Sequence, residues 1–331
     1  MMQKDCEQKE KTPLLLAPAY KDYLWGGQRL KSVFQKATDM SPLAESWELS
    51  CHPNGHSTIL NGPWAGKTLA EYIDAYPEHV CPGHTVQFPL LIKLIDAERA
   101  LSIQVHPDDQ YAAEYGDMGK TEMWYVLDAA RDAGIYYGFQ QVVSKDMVED
   151  AIAHQTLTEL LHWVPVKKGD AVFIPAGTVH AIGAGLLIAE VQQSSDLTYR
   201  LYDYGRVGQN GLPRELHVEK ALDVCQLQPP ERGILSDETG HERAKNYLRP
   251  LVSCEKFVVS EISVAEYWQG MVSSESFQSL LCIEGEGRLI HPSGSYRVKS
   301  GQCFFLPADL GSFILEGQLQ LLQISLPSRH T

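Results

Sequence analysis

Nowhere in its 331 residues does the sequence sustain an apolar run near the ~18 residues that a membrane-crossing helix needs. The first eleven residues are charged and have no apolar signal-peptide core, so a cytoplasmic protein with no membrane partner is expected. Basic residues are also scarce. The 28 Lys and Arg stand against 42 Asp and Glu, a formal net charge of -14. Binding to a phosphate backbone needs clustered cations and counterion release, so no nucleic-acid partner is expected. Paired cysteines are missing too: the seven are Cys6, Cys51, Cys81, Cys225, Cys254, Cys282 and Cys303, an odd, scattered set with no C-x-x-C. Free thiols in a reducing compartment explain this set best.

What is present is a series of short strands that end in chemistry-bearing residues. Residues 169–180, GDAVFIPAGTVH, read as a buried strand between two tight turns, the second of which delivers His180 onto the next strand, facing inward. Side chains on a strand alternate faces, so Ser102, Gln104 and His106 in LSIQVHPDD share one face while Leu101, Ile103 and Val105 pack on the other. In GKTEMWYVL, Lys120, Glu122 and Trp124 alternate likewise and set an amine beside a carboxylate. Together these segments supply Gln104, His106, Glu122 and His180, a mixed nitrogen and oxygen set suited to zinc with room left for substrate oxygens. Any phosphate must be held by a locally positive patch against the acidic whole. Lys120 and Arg200 are the candidates, and the Arg200 fork can grip two oxygens.

The segment G-x5-P-x-G-x2-H at 169–180 resembles the second signature motif of the cupin superfamily. The wider series resembles the type I mannose-6-phosphate isomerases (phosphomannose isomerases) of short bacterial form. It comprises WGG at 25–27, ESWE at 45–48, IKLIDA at 92–97, the 102–109 and 119–124 runs, PAGTVH at 175–180 and the 190–206 run. The resemblance implies a zinc-dependent aldose-ketose isomerase that interconverts mannose 6-phosphate and fructose 6-phosphate on a cupin fold. It puts the zinc ligands at His106, Glu122 and His180, with Gln104 as a fourth, and an active-site arginine at Arg200. One zinc per chain and a small phosphorylated sugar are the expected cofactor and partner; the oligomeric state is left open.

The expected architecture is mainly β: two cupin-like jelly-roll barrels with a small helical segment. Residues 1–247 form the metal-binding domain and 248–331 a second barrel without metal. A short helix is expected at 68–74 and a helical cover over 144–163, with Ser144 as N-cap. Residues 237–245 read as an exposed polar linker. The second half repeats the Gly169 and Pro175 spacing at Gly301 and Pro307, but Ser312 falls where His180 would have its counterpart.

Isomerisation needs a proton carrier near C1 and C2 of the sugar. Glu190, its pKa raised by burial, and Lys120, its pKa lowered by a neighbouring cation, are candidates, as is a zinc-bound water. Ser102 and Arg200 are expected to help with phosphate, Arg200 alternatively with the reacting oxygen. Trp25 and Trp47 read as pocket lining or core, and Asp196 as turn material. The alternatives from another class are a cupin-type sugar sensor and an iron-dependent oxygenase, whose facial His/His/carboxylate triad uses the same residue types. Gln104, Lys120 and Arg200 favour the isomerase.

Overall fold

The computed structural model describes residues 11–84, 87–207, 211–231, 233–236 and 246–328. The expected linker at 237–245 lies outside the described residues. The fold is mainly β, and among the described residues the strands form sheets of nine, seven and five strands. No helix there is long and apolar enough to cross a membrane.

The seven-stranded sheet is the middle layer. Its central strands, Glu122–Ala129, Leu186–Gln193 and Leu90–Ala97, pair antiparallel and are buried along nearly their whole length because both faces are covered. On one face Ile95, Trp124, Val126 and Ile188 pack against Ile135, Tyr137 and Ile182 of the five-stranded sheet. On the other, Ile92, Leu94, Met123, Tyr125 and Val191 pack against Leu281, Phe305, Leu322 and Ile324 of the nine-stranded sheet and Phe277 just before its strand Gln278–His291. The outer face of the five-stranded sheet is covered by the helices Lys145–Ala153 and Val218–Val224.

The helix at Leu69–Ala75 forms as expected, opened by a capping box in which Thr68 and Glu71 satisfy each other's backbone N–H groups. The expected helix over 144–163 is shorter than its apolar spacing suggests. Ser144 caps Lys145–Ala153, but Gln155 turns into the left-handed region at φ 61° and ends it. A single 3-10 turn, Leu157–Leu160, follows, and Leu161–Pro165 is then drawn into a strand beside Gly134–Phe139. Sheet pairing with a partner distant in sequence overrides the local period.

The nine-stranded sheet gathers the strands from 247 onward but also takes in Leu14–Ala17, which pairs with Cys303–Leu306, and Thr58–Ile59. The N-terminal segment is thereby a strand of the C-terminal sheet. Deleting residues 249–331 should leave Leu14–Ala17 without this partner, expose the Phe277 and Phe305 contact face and cause aggregation. Size-exclusion chromatography checks this; a monodisperse, fully active 1–248 fragment would contradict it.

Candidate active site

The site lies between the seven- and five-stranded sheets. In the five-stranded sheet His180 pairs with Gln104 and Gln104 with Arg200 across neighbouring strands, so these three residues fall in one row. The Pro175-Ala176-Gly177 turn sets the histidines' relative position: Gly177, at φ 86°, donates its N–H to the His106 carbonyl at 2.8 Å. Glu122 comes from the facing sheet.

His106, Glu122 and His180 are fully buried, and one ligand atom from each lies within 4.8 Å of the other two. The His106 Nδ1 lies 2.7 Å from the Leu197 carbonyl and the His180 Nδ1 2.8 Å from the Thr178 carbonyl. A carbonyl can only accept, so both Nδ1 atoms carry the proton and both Nε2 atoms present a lone pair to the centre. Those Nε2 atoms sit 3.5 and 3.2 Å from the Glu122 oxygens. Neither Glu122 oxygen has a hydrogen-bond partner, although the Lys120 ammonium is 3.2 Å away. Two buried, unbonded carboxylate oxygens facing two imidazole lone pairs fit a divalent cation.

Burial pushes His180 down to about 4 and, with the Lys120 charge, His106 well below its ordinary value, so both are neutral at pH 7. Burial raises Glu122 to about 7 against the pull of Lys120. A metal needs that carboxyl deprotonated, so affinity should fall as the pH drops below about 7 and the carboxyl protonates. Metal titrations at pH 6 and pH 8 check this; equal affinities would contradict it.

Gln104 is half-buried, its Nε2 3.5 Å from the His180 Nε2. Its Oε1 faces the Ser102 hydroxyl at 3.4 Å, and that hydroxyl accepts from the Arg200 Nε at 3.2 Å. A continuous polar line thus runs from the ligand cluster to Arg200. Ser102, Gln104, Lys120, Glu190 and Arg200 all line one cavity of about 270 Å3, near the small end of ligand pockets. A larger cleft of about 920 Å3, between the N-terminal segment and residues 285–302, holds none of these groups. Chemistry, and not size, identifies the site.

Several of its residues escaped sequence reasoning. Lys93 is buried, 3.2 Å from Glu190 and 3.8 Å from Glu45, and 5.2 Å from the Trp47 ring centre. Burial acts to lower its pKa, but Glu45 and Glu190 outweigh that and raise it. A lysine inside the apolar strand LLIKLIDA was the signal, since a buried ammonium requires partners. The same contact corrects the expectation for Glu190. Burial does push its carboxyl upward, but Lys93, Lys120 and the Trp124 N–H at 2.8 Å together bring it below the ordinary value. Trp25 lines the cavity, whereas Trp47 is core, its N–H given to Glu45 at 2.7 Å. Asp196, expected as turn material, also lines the cavity and accepts from Asn54 at 2.9 Å.

Arg214 is a further lining residue. Asp203 grips it through Nε, at 2.7 Å, and Nη2, and also takes Arg206. One carboxylate therefore serves two guanidinium groups beside a third, Arg200. Burial and the Arg214 charge depress the Arg200 pKa, a mark of uncompensated positive charge that an anion would relieve.

Two facing antiparallel sheets that bury a His-Glu-His set beside a polar cavity, with Gln104 and Lys120 between the two, define a cupin-type enzyme with a candidate metal site. The chain belongs to the type I phosphomannose isomerase family. Residues 14–131 match the catalytic domain of phosphomannose isomerase type I, and residues 249–326 the cupin domain of mannose-6-phosphate isomerase. The mannose-6-phosphate isomerase ManA of Bacillus subtilis (strain 168) is 38% identical over 314 residues, 94% of this chain and 98% of that protein. A mannose-6-phosphate isomerase from Streptococcus mutans is 35% identical over 316 residues, 94% of this chain and 97% of its own. The crystal structure of a Bacillus subtilis mannose 6-phosphate isomerase superposes with a TM-score of 0.88 at 37% identity, covering 95% of this chain and 99% of that one.

Proposed function

We propose that this enzyme is a zinc-dependent isomerase that interconverts mannose 6-phosphate and fructose 6-phosphate by proton transfer between C1 and C2 through an enediol. The supporting observation is a polar cavity lined by Arg200 and Arg214 whose wall residues Gln104 and Lys120 touch a buried His-Glu-His cluster. His106, Glu122 and His180 would hold the metal, with Gln104 as a fourth ligand once its amide oxygen turns inward. The bound zinc supplies a Lewis acid that polarises the carbonyl and offsets negative charge developing on the sugar oxygens.

The rest of the chemistry belongs to side chains. Arg200 and Arg214, with Ser102, bind the phosphate or the reacting oxygen by charge-assisted hydrogen bonds. Lys120, against both His106 and Glu122, is placed to carry the proton. Glu190, anchored by Lys93 and Trp124, is less suited to that task and instead keeps Lys93 charged in the cavity wall. Residues 1–247 carry the chemistry, and 248–331 support them. Six free cysteines among the described residues favour a reducing, cytoplasmic setting.

A coupled assay that converts fructose 6-phosphate formation into a signal tests the activity, and elemental analysis of the purified protein tests the metal. About one zinc per chain and turnover abolished by a chelator are expected. A zinc-loaded protein inert toward mannose 6-phosphate would refute the reading, and iron with oxygen consumption would assign an oxygenase.

A further inference from the structure

A buried ion pair lies on the side of the active-site wall that faces away from the cavity. The strand Glu45–Leu49 presents Glu45 and Trp47 toward Lys93, whereas the alternating residues Ser46 and Glu48 face the opposite way. Its pairing with the Lys93 strand shifts register between Trp47 and Leu49, a bulge that re-aims Glu48. Glu48 is fully buried. Its Oε1 takes the Lys36 ammonium at 2.5 Å and the Ser46 hydroxyl at 2.6 Å.

Lys36 reaches this position because the helix Arg29–Phe34 ends at Gln35 in the left-handed region, φ 53°. Its ammonium also donates to the Gly301 carbonyl at 2.6 Å, in the turn that leads into Cys303–Leu306 of the C-terminal sheet. A Cβ on Gly301 would meet the Phe34 Cβ at 2.7 Å, so helix and turn are pressed together there. At the other end of the helix, Arg29 holds Asp96 at 2.7 Å, on the strand that carries Lys93. The segment 29–36 is therefore fastened to both strands that bring Glu45 and Lys93 to the cavity, and to the C-terminal sheet.

We propose that Lys36 and Glu48 are positioning residues through which the C-terminal sheet sets the placement of Glu45 in the active-site wall and of the core residue Trp47 that holds it. The inference rests on the isomerase reading, because its measure is turnover. Burying two charges is electrostatically expensive, and an apolar pair of similar volume would stabilise the fold equally well. What an apolar pair lacks is direction. The ammonium has three donors, and two of them fix a carboxylate on one sheet to a carbonyl on another. A misplacement of ~1 Å in a catalytic group can lower turnover ~100-fold.

The test is the full-length double variant K36M/E48M, which keeps the volume and removes the bridge, assayed with mannose 6-phosphate beside the wild type. We expect a cooperatively folding protein with wild-type metal content and KM within about threefold, but with kcat at least ~10-fold lower. K36R, which keeps the charge and a donor for Gly301, should recover most of that kcat. A folded, metal-loaded double variant with wild-type kcat overturns the proposal, as does an activity loss that only follows metal content or melting temperature. If the double variant is insoluble, Ser46→Ala decides, since it removes only the hydroxyl that steadies Glu48. A lower kcat at unchanged KM and metal content supports the bridge, and an unchanged kcat overturns it. Failure of the isomerase reading is distinct, because the wild type itself would then be inactive.

Discussion

His180→Ala should lose its metal and bring turnover to background, a fall of at least ~100-fold. The imidazole is fixed by the Thr178 carbonyl, fully buried and aimed at Glu122, so no neighbouring group can take its place. Removing it also leaves the Glu122 Oε1, which already lacks a hydrogen-bond partner, facing empty space. Gln104→Ala should be milder, because a neutral, half-buried amide is the weaker ligand. Elemental analysis and the coupled assay on both variants, after dialysis against a weak chelator, give the comparison. Full zinc occupancy in an active His180→Ala enzyme would sink the ligand assignment.

The second large effect is expected at Arg200. Its Nε donates to Ser102 and its Nη1 to the Glu215 carbonyl at 2.9 Å, and His217 takes its backbone N–H at 3.2 Å, so the guanidinium is held before substrate arrives. Preorganised donors of that kind matter most where charge develops, and Arg200→Ala should lower kcat by at least ~100-fold while metal content is unchanged. A residue that only grips phosphate would weaken ground state and transition state alike, raising KM and leaving kcat near normal. Steady-state kinetics separate these outcomes, and near-normal kcat would pass the phosphate role to Arg200 and remove the catalytic one.

The candidate metal cluster was legible in the sequence because its signals are local. The turn spacing before His180 and the period of two around Gln104 and Glu122 are properties of a few consecutive residues, and they define which side chains turn inward whatever the sheet does next. The capping box at Thr68 and Glu71 is of the same kind. The helix expected through 163 failed for the opposite reason, since the partner that makes Leu161–Pro165 a strand lies at Gly134–Phe139.

Sequence by itself determined the mainly β class, the convergence of His106, Glu122 and His180, and the acidic, cysteine-scattered character of the chain. Tertiary structure alone decided which charges meet. Glu190 faces Lys93 only because their strands pair in one register, and that contact reverses the pKa shift that burial would impose. Asp203 draws Arg206 and Arg214 together beside Arg200, and Lys36 meets a carbonyl 265 residues away. Local pattern specifies the face on which a side chain lies. The partner across that face depends on strand register and on the closure of long loops, which no short window of sequence contains.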